Sequence, residues 1–410
     1  MEGNMKKRYV IVGASFRCYM LFVCTLTERY KDTVALTGVY DINKTRAEFF
    51  KKKVGEEMTV YDDFDTMLDT EKPDGVIVTT SDKFHHEYIV RALKKGYDVF
   101  SEKPVTNTYE RCLAIRNAEK ETGHKVTVTF NCRFMPYFAE VKRQIMAGKI
   151  GRPLHITYDY FLNANHGGDY FKRWHRLMEN SQGMLLHKST HHFDIVNWLL
   201  DDEPKKVTAL GNKVYFSNTE KSHAKRCKEC AYTECECYAS QTGPCDEEMY
   251  YKAEHEDGYI RDKCAFLPDS DIYDNMSVSV QYNKGAILAY SLHLFSMYEG
   301  YRMTITGENG VLETAIGQSK EEDADTKFTI KITDRKGSVE IIRCDKERGG
   351  HGGGDNRLID MLFGGVTDDP LGQCADGFAG FTSAMIGIGA NESILTERTV
   401  DLTERLNKLR

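Results

Sequence analysis

The sequence predicts an α/β protein whose N-terminal part is a doubly wound parallel sheet. Three observations predict it. Short apolar runs alternate with helix-period segments through the first 130 residues, the joining loops are short, and the first apolar run stops at a glycine that opens a helix. Tyr9–Val12 is a buried strand, Phe16–Tyr30 a helix, and Val34–Tyr40 a second strand that ends at Asp41. Asn43–Lys53 is a charged helix, Gly75–Thr80 a strand, and His86–Lys95 a helix closed by Gly96. Asp98–Phe100, the helix Tyr109–Thr122 ended by Gly123, and the strand Lys125–Phe130 complete the run. Strands alternating with helices in this way require right-handed crossovers and a parallel sheet.

Composition bounds the rest. With 410 residues, 41% hydrophobic and 29% charged, the chain has room for two cored domains, which excludes a fibrous or wholly disordered protein. Lys and Arg number 55 against 62 Asp and Glu, and a net charge of -7 gives no reason to expect nucleic acid as a partner. Met1–Arg8 is basic, but the apolar run behind it is too brief for a signal sequence, and no stretch has the apolar length of a membrane span. A cytoplasmic location is expected, so the 12 cysteines are read as core thiols or metal ligands rather than disulfides.

In a doubly wound sheet the ligand lies beyond the carboxyl ends of the strands, which places a pyrophosphate at Gly13-Ala-Ser-Phe-Arg-Cys18. Of the pattern G-x-G-x-x-G only Gly13 remains. Ser15 and Cys18 stand at the other glycine positions, although the Ser15 hydroxyl and Arg17 can serve a diphosphate, and an ordinary strand-to-helix turn is the alternative. Asp41 is placed to accept hydrogen bonds from both ribose hydroxyls of an adenosine and to repel a 2′-phosphate. NAD is therefore favoured over NADP, unless Asn43, Lys44 and Arg46 turn inward; otherwise Asp41 merely caps the following helix.

After the Asp98–Phe100 strand comes Ser101-Glu102-Lys103-Pro104, with Thr79-Thr80 and His85-His86 upstream. Asn131-Cys-Arg-Phe-Met-Pro136, Gly148-Lys-Ile-Gly151, Gln182-Gly183 to Asp194, Thr306-Gly307-Glu-Asn-Gly310 and Gly350-His-Gly-Gly-Gly-Asp355 follow in order. This ordered set resembles the Gfo/Idh/MocA family, named for glucose-fructose oxidoreductase and inositol dehydrogenase, over nearly the whole chain. The resemblance implies a Rossmann domain over 1–130 and a C-terminal α+β domain over 131–410, whose open, mainly antiparallel sheet covers the substrate cleft and builds a homodimer or homotetramer. The patterns at 155–160, 207–215, 275–282, 286–294, 302–306 and 327–333 are strand-like, and those at 193–200 and 356–363 helical, in keeping with it. It further implies NAD held by Gly13, Ser15, Phe16, Arg17, Asp41, Thr80, His85, Glu102, Lys103 and Asn131. Lys103 matches the family's catalytic lysine, beside the nicotinamide; taken alone, a lysine before proline is a solvated loop residue.

The second half of the site is expected in Gln182–Asp194. Family dehydrogenases commonly carry an Asp followed four residues later by His or Tyr on one helix face. His187 and His191 stand there in this chain. His191 is the better general base, and an imidazole at 187 cannot be the permanent anion that an Asp provides. Lys188 can bind a substrate oxygen, and Asp194 either orients His191 or pairs with the helix start. Arg133, His166, Trp174, His175 and His351 are further substrate candidates, since cations, imidazoles and an indole bind hydroxyls and stack on a pyranose face; a buried Trp in a basic surface helix is the alternative. The His187/His191 spacing is also a metal-ligand spacing, but no acid of the HExxH kind accompanies it, so no active-site metal is expected.

Six cysteines fall in an insertion at about 220–265. Cys227, Cys230, Cys235 and Cys237 allow a structural zinc site, with free thiols an equal alternative and disulfides a third. The function this reading reaches is NAD-dependent oxidation of a secondary hydroxyl on a sugar, glycoside or cyclitol. A redox-neutral glycosidase or lyase that forms a keto sugar transiently uses the same residues, and a non-enzymatic sugar or nucleotide sensor is the third alternative.

Overall fold

The computed structural model describes residues 5–238, 244–317, 327–347 and 349–410. Its first sheet holds β1 (Lys7–Val12), β2 (Val34–Tyr40), β3 (Thr59–Tyr61), β4 (Gly75–Val78), β5 (Val99–Ser101) and β6 (Val126–Val128), all parallel, in the order β6-β5-β4-β1-β2-β3. Strand order reverses between β1 and β4, so a crevice opens beyond their carboxyl ends. The sequence pattern misses β3, because three half-exposed residues carry no periodicity. Phe16–Tyr30 is helical as expected over Phe16–Arg29, but its middle, Tyr19–Cys24, is a π-helix.

The second sheet has nine strands. β7 (Pro153–Asn163), β8 (Pro204–Asn212), β9 (Asn275–Tyr282), β10 (Ile287–Ser296), β11 (Gly300–Gly307), β12 (Gly310–Ile316), β13 (Lys327–Asp334) and β14 (Val339–Asp345) belong to it. A two-residue strand near the end of the chain, β16 (Val400–Asp401), completes the order β14-β13-β12-β11-β7-β10-β9-β8-β16. All pairs are antiparallel except β10 with β7. Burial alternates residue by residue along β9, so one face of the sheet is covered and the other open. β15 (Ala375–Asp376) instead joins the first sheet, antiparallel to β6, and β16 (Val400–Asp401) closes the second beside β8. The chain thus returns from its C-terminal half to finish the sheet that its first 130 residues began.

Helices Thr190–Leu200 and Gly377–Thr396 cover the buried face. The second is apolar nearly all round and rich in glycine, so it carries no helical stripe for a sequence reading to find. Its glycines permit close approach: a Cβ at Gly387 would stand 2.6 Å from the carbonyl oxygen of Leu185. This contact seats the short helix Met184–His187, which brings His187 to the crevice. The long insertion between β8 and β9 is closed on itself by Asp274, whose carboxylate accepts the N–H groups of Val214, Tyr215 and Phe216 at 2.8–2.9 Å. Among the described residues no helix is long and apolar enough to cross a membrane.

Arg133 and Asp194 form a bidentate pair at 2.6 and 2.8 Å, both nearly inaccessible, which ties the turn after β6 to helix Thr190–Leu200. Deleting one partner of such a buried pair strands the other charge. Arg133→Ala is expected to destabilise the fold by about 3–5 kcal/mol in chemical denaturation; a loss below about 1 kcal/mol, the range of an exposed pair, contradicts this account.

Candidate active site

A cavity of about 750 Å³ lies between the two halves of the chain. One wall is made by the loops after β1, β2, β4 and β5; the other by Ala164–Lys172, Trp174, His175, His187, Lys188, His191 and His351.

At the first wall Gly13 has φ +93°, and a Cβ there would lie 2.5 Å from the Thr80 nitrogen, so only glycine keeps the two loops this close. Ser15 caps the following helix by accepting from the Cys18 N–H at 3.1 Å. Asp41 accepts from the N–H groups of Ala14 (2.6 Å) and Asn43 (2.7 Å), so its carboxylate is fixed at the cavity edge. His85 joins two loops, with its ring nitrogens 2.9 Å from the Thr80 carbonyl and 2.8 Å from that of Pro104. The Lys103–Pro104 peptide is cis. These features suit a dinucleotide: a bare glycine and a helix N-terminus for the diphosphate, where the Phe16 N–H donates to the Tyr250 hydroxyl at 2.9 Å, and an anchored acid for the ribose.

Arg17 is placed otherwise than the sequence reading expects. Its guanidinium spans Glu102 (3.1 Å) and Asp355 (2.8 Å, bidentate), so it acts as a brace between loops rather than a free diphosphate ligand.

From the first wall the Lys103 ammonium reaches across the cavity and donates to the His187 carbonyl at 3.0 Å. Burial, with Lys188 and Arg17 adding repulsion, lowers the Lys103 pKa below the ordinary lysine range, against the pull of Asp82 and Glu102. His187 Nδ1 lies 2.7 Å from Asp82, a carboxylate that is itself 2% exposed. Burial raises the Asp82 pKa and lowers that of His187. A neutral His187 that donates Nδ1–H to the carboxylate keeps an accepting lone pair on Nε2. His191 and His175 are likewise held neutral by burial, with Lys103 and His187 respectively the next contributors.

Around them His166 Nδ1 meets Glu299 at 2.9 Å, Trp174 lies over His175 with ring centres 4.0 Å apart, and the Lys188 ammonium sits 5.4 Å above the Tyr160 ring. His351, at φ +50° within the glycine run, faces His191 with ring centres 6.0 Å apart. Asp82 escapes a sequence reading because nothing local marks it; its partner is 105 residues away. Tyr250, Asp257, Tyr259 and Arg261, which also line the cavity, come from the cysteine-rich insertion and escape for the same reason.

Two expected contacts are placed elsewhere. Asn131 is buried and donates to Asp355 at 2.6 Å, and Arg133 is consumed by Asp194; neither lines the cavity. Asp194 consequently orients Arg133 and not His191. Nor does the insertion support a zinc site: among the described residues no three His, Cys, Asp or Glu side chains converge as metal ligands. The Cys237 thiol donates to the Ala164 carbonyl at 3.3 Å, and Cys227, Cys230 and Cys235 share with it the lining of a small cavity.

Residues 7–130 match the model of an oxidoreductase family with an NAD-binding Rossmann fold, and residues 142–402 match that family's C-terminal alpha/beta domain. The chain belongs to the Gfo/Idh/MocA oxidoreductase family. Among the relatives of this Gfo/Idh/MocA protein, YteT of Bacillus subtilis, named as an oxidoreductase, is 34% identical over 97% of this chain and 98% of its own length. The NAD-dependent scyllo-inositol 2-dehydrogenase of Bacillus subtilis is 34% identical over 43% of this chain and 49% of its own. The WlbA dehydrogenase of Chromobacterium violaceum, solved with NADH and UDP-GlcNAcA, shares the fold at 18% identity, with a TM-score of 0.67 over 97% of this chain and 96% of that one.

Gly13→Ala tests the cofactor wall. Its Cβ must displace the Thr80 backbone, so NADH affinity is expected to fall at least about tenfold by fluorescence titration, about 1.4 kcal/mol. Unchanged affinity in a folded variant contradicts this placement of the dinucleotide.

Proposed function

We propose that the protein oxidises a secondary hydroxyl of a sugar, glycoside or cyclitol, with NAD as the acceptor. The observation that carries this reading is a lysine ammonium, an acid-backed imidazole and a second neutral imidazole in one cavity whose lining also includes Gly13 and Asp41. A bound nicotinamide supplies the hydride acceptor. Lys103 holds the reacting oxygen and stabilises negative charge as its proton leaves; His187, through Nε2, takes that proton, and Asp82 holds the ring and stabilises the imidazolium. His191, buried with Nδ1 unpartnered, positions the hydroxyl, while Trp174, His175, Lys188, His166 and His351 bind the rest of the ring. The choice of His187 as base over His191 follows from the carboxylate at Nδ1, which His191 lacks.

The reading includes a homodimer or homotetramer in the cytoplasm. Exposed apolar residues on strands of the second sheet, Leu210, Ile287, Val339 and Ile341, support the assembly.

The deciding assay incubates the protein with NAD and a panel of sugars, glycosides and cyclitols, and records NADH and product mass together. Net NADH with a product two hydrogens lighter is expected; glycosidic cleavage without net NADH favours the redox-neutral alternative, and binding without turnover favours a sensor. Lys103→Met is expected to lower kcat by about 10²–10⁴-fold, and Asp82→Asn by about 10–100-fold.

The pH profile follows from the shifted groups. His187 is uncharged down to pH values well below 6.5, but burial raises the pKa of the Asp82 carboxyl behind it to about 7, so kcat falls on the acid side as Asp82 takes up its proton. Lys103 loses its proton below the ordinary lysine range, so kcat also falls early on the alkaline side. A profile that keeps rising through the ordinary lysine range contradicts an ammonium role for Lys103.

A further inference from the structure

The insertion between β8 and β9 runs back over the first domain, and its stretch 244–262 is tied to the turn after β2. Asn43 Nδ2 donates to the Ala253 carbonyl at 2.9 Å. Glu256 accepts the backbone N–H groups of Lys44 (2.5 Å) and Thr45 (3.1 Å). Arg46 donates to Asp257 and, at 3.3 Å, to Asp41. Lys44 and Thr45 open the helix Lys44–Val54, whose first N–H groups have no acceptor within the helix. Free helix N–H groups, a guanidinium and a position beside the ribose acid are what a phosphate on the adenosine 2′-oxygen would need. Two carboxylates from the insertion hold those donors instead. Arg46 and Asp257 line the cavity beside Asp41, with side chains 11% and 14% exposed.

We propose that Glu256 and Asp257 set the choice of dinucleotide: they place fixed negative charge where the 2′-phosphate of NADP would bind, so that only a free ribose diol is accepted. This rests on the dinucleotide reading above. Asp41 alone leaves the exclusion incomplete, because Arg46 does turn inward and a guanidinium with one partner has donors left for a phosphate. Asp257 supplies the second partner. An incoming phosphate must then displace a carboxylate from Arg46 and from the helix N-terminus while standing beside a third acid, which is discrimination by built-in repulsion. The discriminating residues lie outside the dinucleotide fold itself, about 200 residues further along the chain.

NADH and NADPH affinities of the full-length protein, by fluorescence titration, test this. The wild type is expected to bind NADH at least about tenfold more tightly than NADPH, and E256Q/D257N to raise the NADPH-to-NADH affinity ratio by about tenfold to a hundredfold. Adding Arg46→Ala to that variant should remove the gain. Glu248→Gln deletes an acid of the same segment that pairs with exposed Lys52 at 2.7 Å, and should leave the ratio unchanged. If the double variant does not fold by thermal melting, D257N and E256Q are read singly. A ratio within about twofold of wild type in a folded variant overturns the proposal, as does a wild type that binds NADPH as well as NADH. A wild type that binds neither dinucleotide overturns the cofactor reading instead.

Discussion

One half-buried cation holds the site together. Arg17, on the first helical turn after β1, reaches Glu102 in the loop that carries Lys103 and Asp355 in the helix that follows the glycine run. Asp355 also accepts from Asn131 and lies 3.3 Å from His351, and Arg17 keeps its carboxyl ionised against the opposing effect of burial. The loop after β1, the lysine loop and the C-terminal half are thereby locked in one arrangement. The geometry of the glycine run answers to the same constraint: a Cβ at Gly354 would stand 2.6 Å from the Asn131 carbonyl oxygen, so the helix bearing Asp355 can come close enough to Arg17 only with glycine there.

Around this brace the reactive wall is assembled at an electrostatic cost. Lys103 and Lys188 share a cavity edge with His175, His187 and His191, and burial keeps all three imidazoles neutral. Neutral imidazoles accept protons, and a lysine made more acidic by the same burial gives up or shares its own more readily. Asp82 is the acid that relieves this wall. It stands on a loop of the first domain and reaches His187 of the second, so the carboxylate that a sequence reading expects at position 187 enters from across the crevice.

What was legible in the sequence is what is local. Gly13 is required by a turn between consecutive elements, Asp41 by the end of a strand, and Lys103 by the motif around it; each needs only its neighbours in sequence. The parallel strands of the first sheet were legible for the same reason, as continuous apolar runs between turn residues. A sequence reading assigns Arg17, Arg133 and Asn131 to ligands because a cation or an amide near a cleft has no visible partner until Asp355 and Asp194 are in place. Asp82, Glu256 and Asp257 were invisible from the other side: their surroundings are ordinary, and their partners lie 105 to 212 residues away. The helix Gly377–Thr396 lacks a polar face, and β14 is a mostly exposed edge strand with little burial to mark it.

The central claim is that the nicotinamide and the substrate carbon meet between Lys103 and His187. A crystal structure with NADH and a bound polyol tests it most directly. The account predicts the adenosine ribose on Asp41, the diphosphate over Gly13, and the nicotinamide C4 within about 3–3.5 Å of a substrate carbon whose oxygen contacts Lys103 and His187 Nε2. A nicotinamide turned away from Lys103, or a substrate oxygen held by neither side chain, would contradict it.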